Sequence, residues 1–404
     1  MTPRLTIVLP TKDRYLFTLR FLWHANRARM PYRFLIADGH VHATLAEMLA
    51  NSAEHFPNLD IQYIRYPDDR NFSRYFAKMA DALSRVMTPY AMLVDNDDLL
   101  APAAIERALD FLESHADYVC CGGRMTGFSV YSGLNNPSRG LRGKLHRLFT
   151  YPLPQSVSSP LVAERLHQGS LDLWIYYSVH RAEALAAIWR EIAELDFSDL
   201  LVYEVFSVMR SLTFGKAQAY PDTTTYICQI GTSMNYSFKK DWMHHLLRSR
   251  FTTDIHAVVE RISGLAAVAD GIDPAVAAEG VREVLDRKFQ QFVWASYGSL
   301  RGLKQIVRER APFVVTWWQN WPNYFVGRHR SALFRSHAKS GTSKEYLAQF
   351  RCEIAAVENL VSGDDFATFI RPYQKVFDPT EERKTEPGAI AGLPRRGSSS
   401  IFAE

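Results

Sequence analysis

Short apolar runs that alternate with amphipathic helical patterns dominate the first third of the chain, and few architectures accept such an order. Leu5 to Leu9 is a β-rich run ended by Pro10, and Tyr32 to Ala37, Ile61 to Ile64, Tyr90 to Val94 and Tyr118 to Cys121 follow as further strands. Between them, apolar residues recur at helical spacing over Arg14 to Ala28, Leu45 to Ser52, Phe72 to Val86 and Pro102 to Ser114. The last of these carries its proline near the first turn, where the missing N–H costs nothing. Strands that alternate with helices imply right-handed crossovers and a mainly parallel sheet. In such sheets ligands are expected at the carboxyl ends of the strands.

The pattern weakens after Gly122. Gly, Ser, Pro and Arg are frequent up to about Gly169, and this stretch reads as loops able to cover a site. Leu171 to Val179 reads as a strand, Arg181 to Glu194 and Leu200 to Leu212 as helices, and Ala217 to Gln229 as extended chain. A helical region is expected from Asp241 to Arg310, with a further helix from Ser343 to Val361. The charged, Pro-, Gly- and Ser-rich tail reads as disordered. The expected organisation is a catalytic domain over 1–238, a helical extension over 239–378 and a tail over 379–404.

Composition narrows the function classes. With 47% hydrophobic and 22% charged residues in 404, a sizeable core can be buried. A net charge of +4 is too small for a dedicated nucleic-acid binder, so no nucleic-acid partner is expected. Cys120, Cys121, Cys228 and Cys352 lack metal-ligand spacing and read as buried thiols of a reducing cytoplasm. The N-terminus lacks the pattern of a signal peptide, and no apolar stretch is long enough to span a bilayer.

The most informative local feature is Asp95, Asn96, Asp97 and Asp98, which follow an apolar strand and precede a helix. Alternating carboxylates at a strand end can hold one hard divalent cation, Mn2+ or Mg2+, because such ions prefer oxygen ligands. A departing diphosphate needs such a cation. Asp97 is the expected direct ligand, with Asp95 reaching the metal through water or holding a ribose. The competing reading is a solvated acidic turn that caps the next helix. At the end of the first strand, Pro10, Thr11, Lys12, Asp13 and Arg14 can present backbone and hydroxyl groups to a nucleoside. No G-x-G-x-x-G or Walker motif accompanies them.

Taken in order, Pro10 to Arg14, Ile36 to Gly39 and Val94 to Asp98 resemble the three successive strand-end motifs of family-2-like glycosyltransferases of the GT-A fold. The resemblance implies a Rossmann-like, mainly parallel mixed sheet flanked by helices. It makes Pro10, Thr11, Asp13, Arg14, Asp38, Asp95 and Asn96 contacts of a nucleotide-sugar donor, and Asp97 and Asp95 the D-x-D metal ligands. Ala77, Lys78 and Met79 resemble the family's Ala-Arg-Asn segment, which would put Lys78 near the donor; a helix-surface lysine is the competing reading.

The resemblance continues more weakly to about residue 235. An alignment on Gly215 puts Arg210 at the family's arginine, Glu204 at the second acid and Tyr203 in place of the first. In inverting members that second acid is the general base, which makes Glu204 the expected base and Asp199, just before the same helix, its rival. Gln229, Thr232 and Ser233 resemble the closing loop of the site. His244 and His245 are adjacent on an expected helix and point in different directions, so they make a poor metal pair.

The aromatic stretch of residues 313–335 is expected to pack the helical extension onto the catalytic domain. Peripheral membrane contact is the alternative there. The resulting expectation is a cytoplasmic, metal-dependent, inverting glycosyltransferase, with a place at the inner face of a membrane as the alternative. Its donor would be of UDP type and its acceptor a glycan or lipid-linked saccharide. A sugar nucleotidyltransferase and an inactive GT-A binding module are the rivals; the first lacks its Gly-rich loop after Leu9, and the intact Asp95 and Asp97 pair argues against the second.

Overall fold

The computed structural model describes residues 3–12, 14–40, 43–131, 141–169, 173–229, 250–297 and 355–374. Within them the chain forms a nine-stranded mixed sheet flanked by helices. The strands β1 (Leu5–Thr11), β2 (Arg33–Asp38), β3 (Asp60–Arg65) and β4 (Tyr90–Leu93) pair in parallel in the order β3-β2-β1-β4. Helices α1 (Tyr15–Arg27), α2 (Thr44–Leu49), the single turn α3 (Ser52–His55) and α4 (Phe72–Ser84) make the crossovers. The central strands are buried on both faces, which is why Leu5 to Leu9, Thr6 apart, and Tyr90 to Leu93 are apolar. At the edge, β3 is only half-buried and carries charge at both ends.

Past β4 the chain makes a two-residue strand β5 (Leu99–Leu100) and helix α5 (Pro102–Ser114), then the long strand β6 (Tyr118–Tyr131) and β7 (Lys144–Thr150). Helix α6 (Val162–Gly169) and a 3-10 turn at Leu173–Ile175 lead to β8 (Val179–Arg181), helices α7 (Ala182–Leu195) and α8 (Leu200–Phe214), and β9 (Lys216–Gln229). Two expectations are corrected. Residues 122–169 are not mainly loop: β6 runs through the glycines to pair with β7 and β9. Gly123 fits there because a Cβ would meet the Thr223 carbonyl at 2.4 Å. Of the strand expected over 171–179, the described part is a helical turn and only Val179 is β. The apolar residues Trp174 and Ile175 suit either period, and contact with the core decides the matter.

The helices after residue 250 belong to the same core. Helix α9 (Phe251–Asp270) packs on α6 and α8, and α10 (Pro274–Tyr297) packs on α9 and α6. Asp270 accepts hydrogen bonds from Val162 N and Ala163 N, both at 2.8 Å, and so satisfies two orphan donors at the start of α6. Residues 355–362 and Asp364–Gln374 are also helical, and they seal a second apolar cluster. There Val361, Phe366 and Ile370 meet Phe17, Leu99, Phe128 and Leu141, and Trp23 stacks on Phe369 at 4.5 Å. Asp13, Thr232, Ser233, His244, His245, Cys352, residues 313–335 and the tail lie outside the described residues. Cys120 and Cys121 are buried and Cys228 is half-buried, each a free thiol.

Candidate active site

Parallel pairing brings the strand-end residues to one edge. Thr11 is the register partner of Asp38, and Val94 N bonds Val8 O at 3.2 Å, so the acidic turn leaves β4 beside the end of β1. The turn is held from its far side as well, because Leu99 pairs with Ile227 of β9 and Asp98 accepts from Gln229 N at 2.6 Å. A turn anchored to two strands keeps its carboxylates fixed without a ligand.

Its four polar residues have different partners. The Asn96 amide points inward and donates to Thr11 Oγ1 and Thr18 Oγ1, both at 3.2 Å, and to Arg14 O at 3.1 Å. It therefore ties the acidic turn to the first-strand motif. Asp97 is buried and faces Arg14, whose Nη2 lies 3.0 Å from Oδ2. Asp95 is half-buried and accepts from the Tyr177 hydroxyl at 3.1 Å. Burial first, and then the charge of Asp97, pushes the Asp95 carboxyl up to about 6. Burial and the charges of Asp97 and Asp95 push Asp98 up as well. Crowded carboxylates of this kind carry surplus negative charge. A hard divalent cation bound by Asp95 and Asp97 fits the oxygen donors and relieves that surplus. Among the described residues no three His, Cys, Asp or Glu side chains form a metal cage. The remaining ligands would be phosphate and water oxygens, as is usual where a carboxylate pair shares Mg2+ with a diphosphate.

Beside the turn is a second polar pocket. The buried Asp38 accepts from Tyr63 Oη at 2.6 Å and from His40 N at 3.0 Å. Lys78 is buried rather than a helix-surface lysine: its Nζ lies 2.5 Å from Asp69 Oδ2 and 3.5 Å from Thr11 O. Gly39 makes this possible, since a Cβ there would stand 2.2 Å from the same Asp69 oxygen. Lys12 Nζ also donates to the Asp69 carbonyl. Pro10 and Thr11 form the wall between this pocket and the acidic turn, with Pro10 opposite Ala37 in the register.

The third wall is α8. Glu204 is half-buried and Asp199 is fully buried. Asp199 caps the helix, its Oδ1 accepting from Leu201 N at 2.9 Å, and so does not project into the cleft as a rival base would. Burial, then Asp95 and Asp199, push the Glu204 carboxyl up to about 8, while Lys288 of α10 opposes them. Tyr75, Tyr176, Tyr177 and Tyr203 feel the charges of both Asp95 and Glu204, which puts four phenol groups near the two carboxylates. Arg210 points elsewhere and forks onto Glu191 of α7 at 2.7 Å. Gln229 accepts from the buried Arg20 at 2.5 Å; Arg20 also donates to Asp97 O at 2.7 Å and Leu141 O at 3.1 Å.

Sequence reasoning did not single out Asp69, Arg20, Tyr63, Tyr177 or Lys288. Asp69 had a signal, since it stands in the turn after β3 near the strand-end Asp38 of β2; a lone arginine in an apolar helix, or a lysine in a distant one, had none.

Residues 6–160 match the family model described as Glycosyl transferase family 2. Over those residues the chain is similar to family 2 glycosyltransferases, and its sheet is of the expected mixed, mainly parallel kind. No curated protein sequence matches the chain. Among solved structures, residues 1–349 of TarS from S. aureus align at 14% identity over 73% of this chain and 74% of that one, with a TM-score of 0.44. The mannosyltransferase PcManGT from Pyrobaculum calidifontis, solved with GDP-Man and Mn2+, aligns at 13% identity over 89% of this chain and 87% of its own, with a TM-score of 0.39. Among the described residues no helix is long and apolar enough to cross a membrane.

Proposed function

We propose that this protein is a glycosyltransferase that moves a sugar from a nucleotide-sugar donor, of UDP type, to a saccharide or lipid-linked saccharide hydroxyl with inversion at the anomeric carbon. The observation that carries the reading is the electrostatic coupling of two carboxylates, Asp95 of the acidic turn and Glu204 of α8, with the same four tyrosines beside both. In-line displacement needs charge stabilisation on the leaving side and a proton acceptor on the attacking side. Asp38 and Thr11 would bind the nucleoside, with Lys78 charged beside them. Asp95 and Asp97 would hold a divalent cation, which supplies charge neutralisation for the departing nucleoside diphosphate. Asn96 and Arg14 support those carboxylates from behind.

Glu204 takes the proton of the acceptor hydroxyl as oxygen attacks the anomeric carbon and the bond to the diphosphate breaks. A carboxyl with a raised pKa is a stronger base once ionised than an exposed glutamate. The tyrosine rings offer apolar faces and hydroxyls, the combination that suits a sugar. The domain division at about residue 238 is proposed as a boundary of function only, since α9 and α10 share the catalytic core.

The test is transfer from a panel of nucleotide-sugars with Mn2+ or with chelator, with the product's anomeric configuration read by NMR. Metal-dependent transfer with an inverted product is the expected result. Equal rates in chelator, or a retained configuration, would overturn the metal or the base assignment respectively.

A further inference from the structure

Arg20 stands in α1 between Leu19 and Phe21 and is fully buried. A charge so placed is costly unless hydrogen bonds satisfy it. Its Nη2 donates to Asp97 O at 2.7 Å and to Gln229 Oε1 at 2.5 Å, and its Nη1 donates to Leu141 O at 3.1 Å. One planar fork thus joins three segments that are distant in the chain: the acidic turn, the end of β9 and the residues just before β7. Each is anchored in turn. Gln229 N donates to Asp98 Oδ1 at 2.6 Å, which closes a ring from Arg20 through Asp97 and Asp98 to Gln229. Past Leu141, Arg142 Nη2 donates to Gly363 O at 3.0 Å and Gly143 N to Val361 O at 2.9 Å, so the C-terminal helices hold the third acceptor in place. The same helices pack on Phe17 in the second apolar cluster, and the Phe17 ring centroid lies 4.4 Å from Arg14 Cζ and 5.0 Å from Arg20 Cζ.

We propose that Arg20 is a positioning residue for the metal-binding turn: by fixing the Asp97 carbonyl it aims the Asp97 carboxylate at the cation. This rests on reading Asp97 as a metal ligand. The turn is held at each of its four residues. Asp95 N donates to Tyr226 Oη at 3.1 Å, the Asn96 amide is tied to Thr11, Thr18 and Arg14, and Asp98 is bound by Gln229 N. Asp97 is fixed twice, through its carbonyl by Arg20 and through its carboxylate by Arg14. What Arg20 contributes is orientation, because its charge acts the other way: a guanidinium beside the turn repels a divalent cation. Groups that orient a metal ligand change metal affinity without touching the metal.

The test uses the full chain. Free Mn2+ is followed by electron paramagnetic resonance in the presence of UDP, and UDP affinity in chelator is measured by calorimetry. Arg20→Met should weaken Mn2+ binding by about tenfold to a hundredfold. UDP affinity in chelator should not change, since Pro10 and Thr11 separate the Asp38 and Lys78 pocket from the acidic turn. Arg20→Lys keeps the charge but not the fork, and it should weaken Mn2+ binding too. Equal or tighter Mn2+ binding in Arg20→Met would mean that only the charge is felt. Equal losses for Mn2+ and for UDP in chelator would mean that Arg20 supports only the fold. Either result overturns the proposal, as does parent-like Mn2+ binding in Arg20→Lys. If Arg20→Met does not fold, Arg20→Lys decides by the same comparison. Hydrogen exchange at residues 94–99 separates the proposal from the metal reading. If Asp97→Asn binds Mn2+ like the parent, the metal reading fails by itself. Faster exchange there in the Arg20 variant, with residues 5–9 unchanged, then keeps Arg20 as the residue that positions the turn, and unchanged exchange removes it.

Discussion

The Lys78 ammonium lies 2.5 Å from the Asp69 carboxylate, and both side chains are almost wholly out of water. Burial lowers the Lys78 pKa, and the Asp69 charge opposes that shift. Such a pair contributes little net stability when whole, but breaking it strands a buried charge.

Lys78→Met should therefore destabilise the fold by about 3–5 kcal/mol in urea unfolding, and Lys78→Met combined with Asp69→Leu should recover much of that loss. If the two losses add in the double variant, the pair is not coupled. Both variants should weaken nucleotide binding, since Lys78 and Thr11 share one wall.

Asp97→Asn should abolish metal-dependent transfer while the protein still folds. The amide keeps the shape and can still accept from Arg14, but it lacks the charge a hard cation needs. Asp97→Ala should add a stability loss of about 1–3 kcal/mol, because Arg14 loses its buried partner. Full transfer activity in purified Asp97→Asn would remove Asp97 from the metal site.

Glu204→Gln should bind donor normally in calorimetry and lose about a hundredfold to ten-thousandfold in turnover. Asp199→Asn should behave differently: near-normal turnover per folded molecule, with at most about 1 kcal/mol lost at the helix cap. The opposite pattern would exchange the two roles.

The raised Glu204 pKa also fixes the sign of a stability change. The folded protein holds this proton up to about pH 8, whereas the unfolded chain releases it at the ordinary glutamate value. Protonation therefore favours the fold between those values, and stability from this group falls as pH rises through that window. Thermal melts should find Glu204→Gln more stable than the parent at about pH 9, with the gap closing at about pH 5. A gap that is independent of pH would contradict the raised value.

Much of the fold was legible because its signals are local. Leu5 to Leu9, Thr6 apart, and Tyr90 to Val94 are apolar because central parallel strands bury both faces. The order of strands and helices up to Cys121 follows from periodicity alone, and the acidic turn falls at a strand end for the same reason. Past Gly122 the period is diluted by glycines that a closely packed sheet requires, so β6 and β7 read as loop.

The sequence by itself determined which residue types stand at the ends of β1, β2 and β4, and hence that carboxylates and a threonine gather at one sheet edge. It could not say that Glu204 lies near Asp95, because that depends on how α8 packs on the rest of the core, whereas the Asp199 cap is a local bond from Leu201 N. Nor could it bury Lys78 on Asp69. That pair is close in the chain, yet it leaves water only when the apolar faces of several helices are covered at once, a condition that no local pattern encodes.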